Sequence, residues 1–154
     1  MVKSLTNLRQ DRPLPLGNLL NAAARTLAAE LDAGLAAAGF SDLRAAHAPI
    51  FQAIDPGGTR LADLAARIGV TKQAMSEPIR HLETQAYIEV MPDPVDKRAR
   101  LVRLTPKGES VVTAGMEVVN RFDAQLDSAI GAAEVARMRQ VLTKIINGAG
   151  RTPH

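Results

Sequence analysis

Between Thr59 and Gly108 the hydrophobic period of the chain switches from helical to alternating, and few folds accommodate that order. Leu61, Leu64, Ala65 and Ile68 form the apolar face of a short helix that Gly69 closes. Thr71 is a suitable N-cap for a second helix, in which Val70, Met75, Ile79 and Leu82 are expected to face inward. A strand follows over Tyr87 to Val90, then a proline- and charge-rich tip from Met91 to Arg98, then an alternating run from Arg100 to Leu104. Helix, turn, helix and a two-stranded wing is an architecture that reads duplex DNA.

The bulk composition permits that reading without demanding it. The chain has 154 residues, enough for one domain with a core or a domain with a dimerisation extension. Its net charge is +3, and residues 60–108 carry nine Lys or Arg against six Asp or Glu. So mild a bias leaves the distribution of charge to decide. Aromatics make up 3% and Trp is absent, so the core must be built from Leu, Val, Ile and Ala, with Ala-rich runs favouring helix. No cysteine is present, which excludes disulfides, thiolate chemistry and zinc–cysteine sites. The start lacks the apolar run of a signal peptide and no stretch has the length of a membrane span, so a cytoplasmic protein with no membrane partner is expected.

The flanks read as helices. Residues 1–15, with Pro13 and Pro15, are expected to form an extended arm whose Lys3, Arg9 and Arg12 either touch DNA or a partner or stay solvated. Leu16, Leu20, Leu27, Leu31 and Leu35 recur at helical spacing over 16–38, and Gly39 supplies a left-handed cap. Ser41 is a candidate cap for a helix toward Ile54, in which Pro49 marks a kink or the true start. Asp55-Pro56-Gly57-Gly58 is a loop. Thr105-Pro106 opens a long helix bearing Val111, Val112, Val118, Val119, Phe122, Leu126 and Ile130, and Gly131 interrupts it. Val135, Met138, Leu142 and Ile145 define a last helix, and residues 148–154 are expected to fray. These long stripes have little sheet to cover them. They pack on each other within one subunit, or they form a homodimer whose two-fold axis matches a pseudo-palindromic operator.

The outward stripe of the second helix would carry Lys72, Gln73, Ser76, Glu77 and Arg80. Gln73 suits adenine, Arg80 and Lys72 suit guanine or phosphate, and Thr71 and Ser76 are short donors for phosphate. Glu77 repels phosphate; it either accepts from cytosine N4 or pairs with Arg80 or Lys72. A solvated helix face gives the same pattern. In the wing, Pro92, Asp93 and Pro94 stiffen the tip, and Asp96-Lys97-Arg98-Ala99-Arg100 turns back into a strand. Arg98 at such a tip can enter a narrow minor groove. Asp96 is placed to hold its guanidinium in a bidentate pair. The plain alternative is a hairpin closed by a surface salt bridge of little worth.

The run from Asp96 to Thr105, with Pro106-Lys107-Gly108 after it, resembles the wing signature of the multiple antibiotic resistance regulator (MarR) family. LADLAARIGVTKQAMSEPIRHLE is similar to that family's helix-turn-helix, and the likeness extends over nearly all of 16–147. The resemblance implies a mainly α fold with a small antiparallel β-wing. In it a winged helix-turn-helix (59–105) is flanked by N- and C-terminal dimerisation helices (16–38 and 106–147). It further implies a homodimeric regulator of transcription, usually a repressor, with a recognition helix at 71–85 and Arg98 as the wing arginine. Release by a small aromatic or phenolic effector, bound between the dimerisation and DNA-binding parts, is also implied. The chain departs from the pattern at Pro78, which should bend the recognition helix, at Glu77, and at Ala86, where a glycine commonly caps that helix.

Catalysis finds little support. His47, His81 and His154 are scattered, and no phosphate loop, nucleophile motif or metal-ligand spacing appears, so no cofactor is expected. His81 reads as a surface or backbone-contacting residue. Arg44, His47 and Phe51 fall together on the second helical segment and either pack in the core or line an effector pocket. The rival reading is a winged-helix module that binds protein instead of DNA. It accommodates the modest charge and Glu77, but leaves Arg98 without a purpose.

Overall fold

A computed structural model describes residues 13–148, so the expectations for Lys3, Arg9, Arg12, His154 and the rest of both ends fall outside the described residues. Among the described residues, six α-helices accompany a three-stranded antiparallel sheet. Helix α1 (Leu16–Ala37) ends where Gly39 takes φ +94° and donates to the Ala36 carbonyl. Ser41 caps nothing: the chain turns through 41–44, makes one 3-10 turn (Ala45–His47), and enters α2 (Ala48–Ala53). Pro49 sits in the first turn of α2, where a missing N–H costs no helical bond, so it marks the start and not a kink.

After the Asp55–Gly58 loop, Thr59–Arg60 form a short strand, β1, that sequence patterning did not announce. It pairs with β3, Thr59 opposite Val102 and Arg60 opposite Leu101. Helix α3 (Leu61–Ile68) buries Leu64 and Ala65 and stops at Gly69, φ +78°. Regular helix α4 starts at Ser76, later than the expected Thr71, and runs to Thr84. Residues 72–75 form turns in which the Thr71 hydroxyl accepts from the Ala74 N–H at 3.1 Å. That late start explains two differences. Pro78 falls in the first turn of α4, where its lost donor breaks no helical bond, and Val70 lies on the open side at 41% exposure. Met75, Ile79 and Leu82 are buried.

Helix α4 leaves through Ala86, the one non-glycine at positive φ (+59°) among the described residues. The Ala86 N–H donates to Glu83 and the Tyr87 N–H to Leu82, which closes the helix end at the expense of a left-handed alanine. Ala86→Gly is therefore expected to raise stability by about 1 kcal/mol. A higher urea midpoint at unchanged slope would bear this out; an unchanged midpoint would mean that the strain is absent.

The wing strands are β2 (Ile88–Pro92) and β3 (Arg100–Leu104), in register from Ile88 opposite Leu104 to Pro92 opposite Arg100. Strand β2 starts and ends later than the sequence suggested, and with β1 the sheet has three strands where two were expected. The Thr105 hydroxyl then accepts from the Gly108 N–H at 3.1 Å and caps α5 (Pro106–Ile130), with Pro106 in its first turn. The same hydroxyl donates to the Ala86 carbonyl at 2.6 Å, tying the exit of α4 to the entry of α5. Gly131 separates α5 from α6 (Ala132–Ile146).

Leu43, Leu64, Leu82, Tyr87, Ile88 and Val102 form the centre of the core, beneath α3, α4 and the sheet. The outer helices are different. Leu16 is 60% exposed and Ile146 81%, and Leu19, Met116, Ile130, Met138, Val141 and Ile145 are also exposed. Packing of α1 on α5, so close that a Cβ at Gly34 would meet the Val118 side chain, leaves much of the apolar stripes open.

Candidate nucleic-acid interface

Thr71, Lys72, Gln73, Ser76, Glu77 and Arg80 are all exposed. The Thr71 hydroxyl is occupied by Ala74, and the Ser76 hydroxyl reaches back to the Lys72 carbonyl at 3.4 Å. Glu77 makes no ion pair with Lys72 or Arg80; the ion pairs among the described residues join other groups. Lys72, Gln73, Glu77 and Arg80 thus keep polar ends that no hydrogen bond or ion pair among the described residues engages, one of them acidic.

The wing is organised by a residue to which the sequence assigned only stiffening. Asp93 is 5% exposed. Its Oδ2 accepts from Arg60 Nε at 2.6 Å, and its Oδ1 accepts from the backbone N–H groups of Val95 (2.7 Å) and Asp96 (3.1 Å). Backbone bonds from Asp93 N to Ala99 O and from Ala99 N to Asp96 O close the tip. Asp96 does not hold the Arg98 guanidinium; its Oδ1 accepts from the Arg98 backbone N–H at 3.1 Å. An aspartate two residues upstream reaches the amide with little loss of entropy, whereas an exposed bidentate pair gains little. Lys97, Arg98 and Arg100 are left exposed and outside the ion pairs found among the described residues.

The Arg60 guanidinium, then the Val95 and Asp96 amides, hold the Asp93 carboxyl at about 2, below its ordinary 3.8. A depressed folded value contributes stability that is complete above the unfolded value and is lost as pH falls from about 4 toward 2. Wild type should therefore exceed Asp93→Asn in urea resistance at pH 7, with the gap closing between pH 4 and 2. A gap that does not vary with pH would show that the charge of Asp93 is not what braces the wing.

Arg44, His47 and Phe51 line an apolar cavity of about 60 Å³ between α1, α2 and α5, beside Leu31, Val111 and Met116. Arg44 Nη1 donates to the carbonyls of Ser41 and Leu43, so part of its guanidinium is spent on the turn. His47 is half-buried, and its ring lies against that of His81. Among the described residues no group of three or more His, Asp or Glu is placed to hold a metal ion, and no helix is long and apolar enough to cross a membrane.

Residues 41–99, which span α2 through the wing tip, match the family model described as the MarR family. Over that segment the chain is similar to the MarR family. The transcriptional regulator HosA of Escherichia coli O111:H- is 27% identical over 92 residues, 60% of this chain and 67% of that protein. A mutant of MarR from E. coli, solved in complex with operator DNA, is 25% identical with a TM-score of 0.72, covering 86% of this chain and 94% of its own. BpsR of Bordetella bronchiseptica, whose DNA binding is regulated by 6-hydroxynicotinic acid, is 24% identical with a TM-score of 0.71, covering 88% of this chain and 95% of its own. In segment and in fold, the proteins this chain resembles are transcriptional regulators with a winged helix. The structural likeness covers 86% of the chain and so reaches well beyond the matched 41–99.

Proposed function

We propose that the chain acts as a homodimeric, sequence-specific repressor that binds a pseudo-palindromic duplex operator. Residues 71–80 would enter the major groove, and Lys97, Arg98 and Arg100 would hold the wing to the backbone and minor groove, with Asp96 fixing the backbone of the tip. The observation that carries this reading is the braced wing. A buried aspartate and closed turn hydrogen bonds present three basic side chains at a tip, with none of them among the ion pairs of the described residues. Such preorganisation lowers the entropy lost on contact with phosphate and groove. The open apolar stripes of α1, α5 and α6 support the dimer, because a second copy would cover them. The apolar cavity would take a small aromatic effector whose unequal affinity for DNA-competent and incompetent dimers causes release.

Selection of bound fragments from random duplex DNA at near-physiological salt tests the reading. A two-fold symmetric site should emerge, with affinity falling steeply as salt rises. Arg98→Ala should weaken binding by about 1–3 kcal/mol, roughly five- to 150-fold. Binding of Arg98→Ala at full strength with unaltered preference would sink the wing assignment. No enrichment by a folded dimer would move the weight to a module that binds protein, which Glu77 on the exposed stripe would suit.

A further inference from the structure

The basic tip of the wing also carries an apolar side chain. Val95 is 89% exposed, more than any other large hydrophobic among the described residues. Most of the others lie on α1, α5 and α6, on the stripes that a second copy would cover. Val95 belongs to the wing, where that cover does not account for it. A lone exposed valine is ordinary on a protein surface. This one is set apart by how firmly it is held.

Asp93 explains both the exposure and the rigidity. Its carboxylate sits inside the bend, accepting from the Val95 N–H at 2.7 Å and the Asp96 N–H at 3.1 Å, while Arg60 Nε holds its other oxygen. The Val95 amide is thus drawn inward, and its side chain is left without a core to fold onto. Pro94 fixes the backbone just before it, and the bond from Asp93 N to Ala99 O closes the neck. A β-branched side chain has one stiff torsion, so on this backbone it loses little freedom on contact. Lys97 and Arg98, three or fewer residues away, lose far more.

A rigid pair of methyl groups beside three basic side chains fits one part of duplex DNA. Phosphates take the basic groups. Between the phosphate rows, the minor groove has apolar deoxyribose walls and a floor that differs between base pairs. A·T shows only acceptors there, whereas G·C adds the guanine N2 amino donor. A methyl group against that floor excludes water and accepts no hydrogen bond, so it leaves the amino donor unsatisfied.

We propose that Val95 is a specificity-determining residue of the wing, whose methyl groups lie in the minor groove and reject G·C pairs there. The inference rests on the DNA-binding reading above and adds to it a base preference set by one apolar side chain.

Equilibrium binding to the selected operator, measured against salt, tests this with wild type, Val95→Ala, Val95→Thr and Arg98→Ala. Diaminopurine in place of adenine adds the minor-groove amino group and leaves the major-groove edge unaltered; it is scanned through the operator. Wild type should lose about tenfold in affinity where the analogue falls under the wing. Val95→Thr keeps the shape and offers the amino group an acceptor, so at the same pair its loss should shrink to about threefold or less. Val95→Ala should bind the unmodified operator about three- to tenfold more weakly, because two carbons leave a partly covered surface. Its salt dependence should match wild type, whereas Arg98→Ala should lose about one unit of slope. Urea midpoints of both Val95 variants should equal that of wild type, since so exposed a side chain supports little of the fold.

A diaminopurine penalty equal in wild type and both Val95 variants would overturn the inference. With Arg98→Ala still weakened, that result would leave the DNA-binding reading standing. A salt slope in Val95→Ala as shallow as in Arg98→Ala would overturn it too, because the loss would then be one of phosphate contact. Failure of wild type to bind any duplex would overturn both.

Discussion

Gly108→Ala should destabilise the protein by about 3 kcal/mol, the upper end of what overpacking costs. A Cβ at Gly108 would be driven into the Tyr87 carbonyl oxygen, a backbone atom held in place by the N–H of Thr105. Neither side can yield, because the turn of chain that would have to move is the junction of α4, β2 and α5. Gly115→Ala in the same helix is the control. The nearest atom to its added Cβ is Leu31 Cδ1 at 3.9 Å, so it should gain about 0.5–1 kcal/mol from helix propensity alone. Urea unfolding of both variants at one protein concentration measures the pair. Shifts of the same sign would mean that the junction is looser than described.

Tyr87→Ala should cost about 3–5 kcal/mol, as large aromatic truncations in cores do. The side chain is almost fully buried, with edge contacts to Phe40 and Phe51 at 6.1 and 6.2 Å, and with Lys107 Nζ 4.1 Å above the ring. Its hydroxyl donates to Asp42, and burial together with that bond raises its pKa to about 12. Tyr87→Phe keeps the ring and should cost only about 1 kcal/mol, the net worth of one hydrogen bond. Equal losses in the two variants would place the stabilisation in the hydrogen bond and not in the packing.

How far the sequence could be read depended on the range of the interaction. Gly69, Thr105-Pro106 and Gly131 act on their own neighbours, so the helix ends they define were legible. Strand β1 was not, because two residues carry no period and their partner strand lies far along the chain. The placement of Val70 and the start of α4 failed together: a helical period was extended through 71–75, where the backbone makes turns. Asp93 looked like a tip residue because its partner Arg60 is 33 positions away, although an aspartate between two prolines is a signal that a turn needs its carboxylate. Asp96 was expected to hold the Arg98 guanidinium, and it serves the Arg98 backbone instead. The stacking of His47 on His81 likewise depends on how two helices meet, which no local pattern encodes.

The clasp formed by Thr105, Ala86 and Gly108 fixes the start of α5 to the wing, and α6 packs where α5 ends. Over its 25 residues α5 advances about 37 Å and turns by about 100° per residue. One added or deleted residue between clasp and break would swing α6 by nearly a third of a revolution about that axis. Outside buried Val111 and Val118, this middle stretch should thus tolerate substitution more readily than insertion or deletion, behaving as a gauge block and not as a linker.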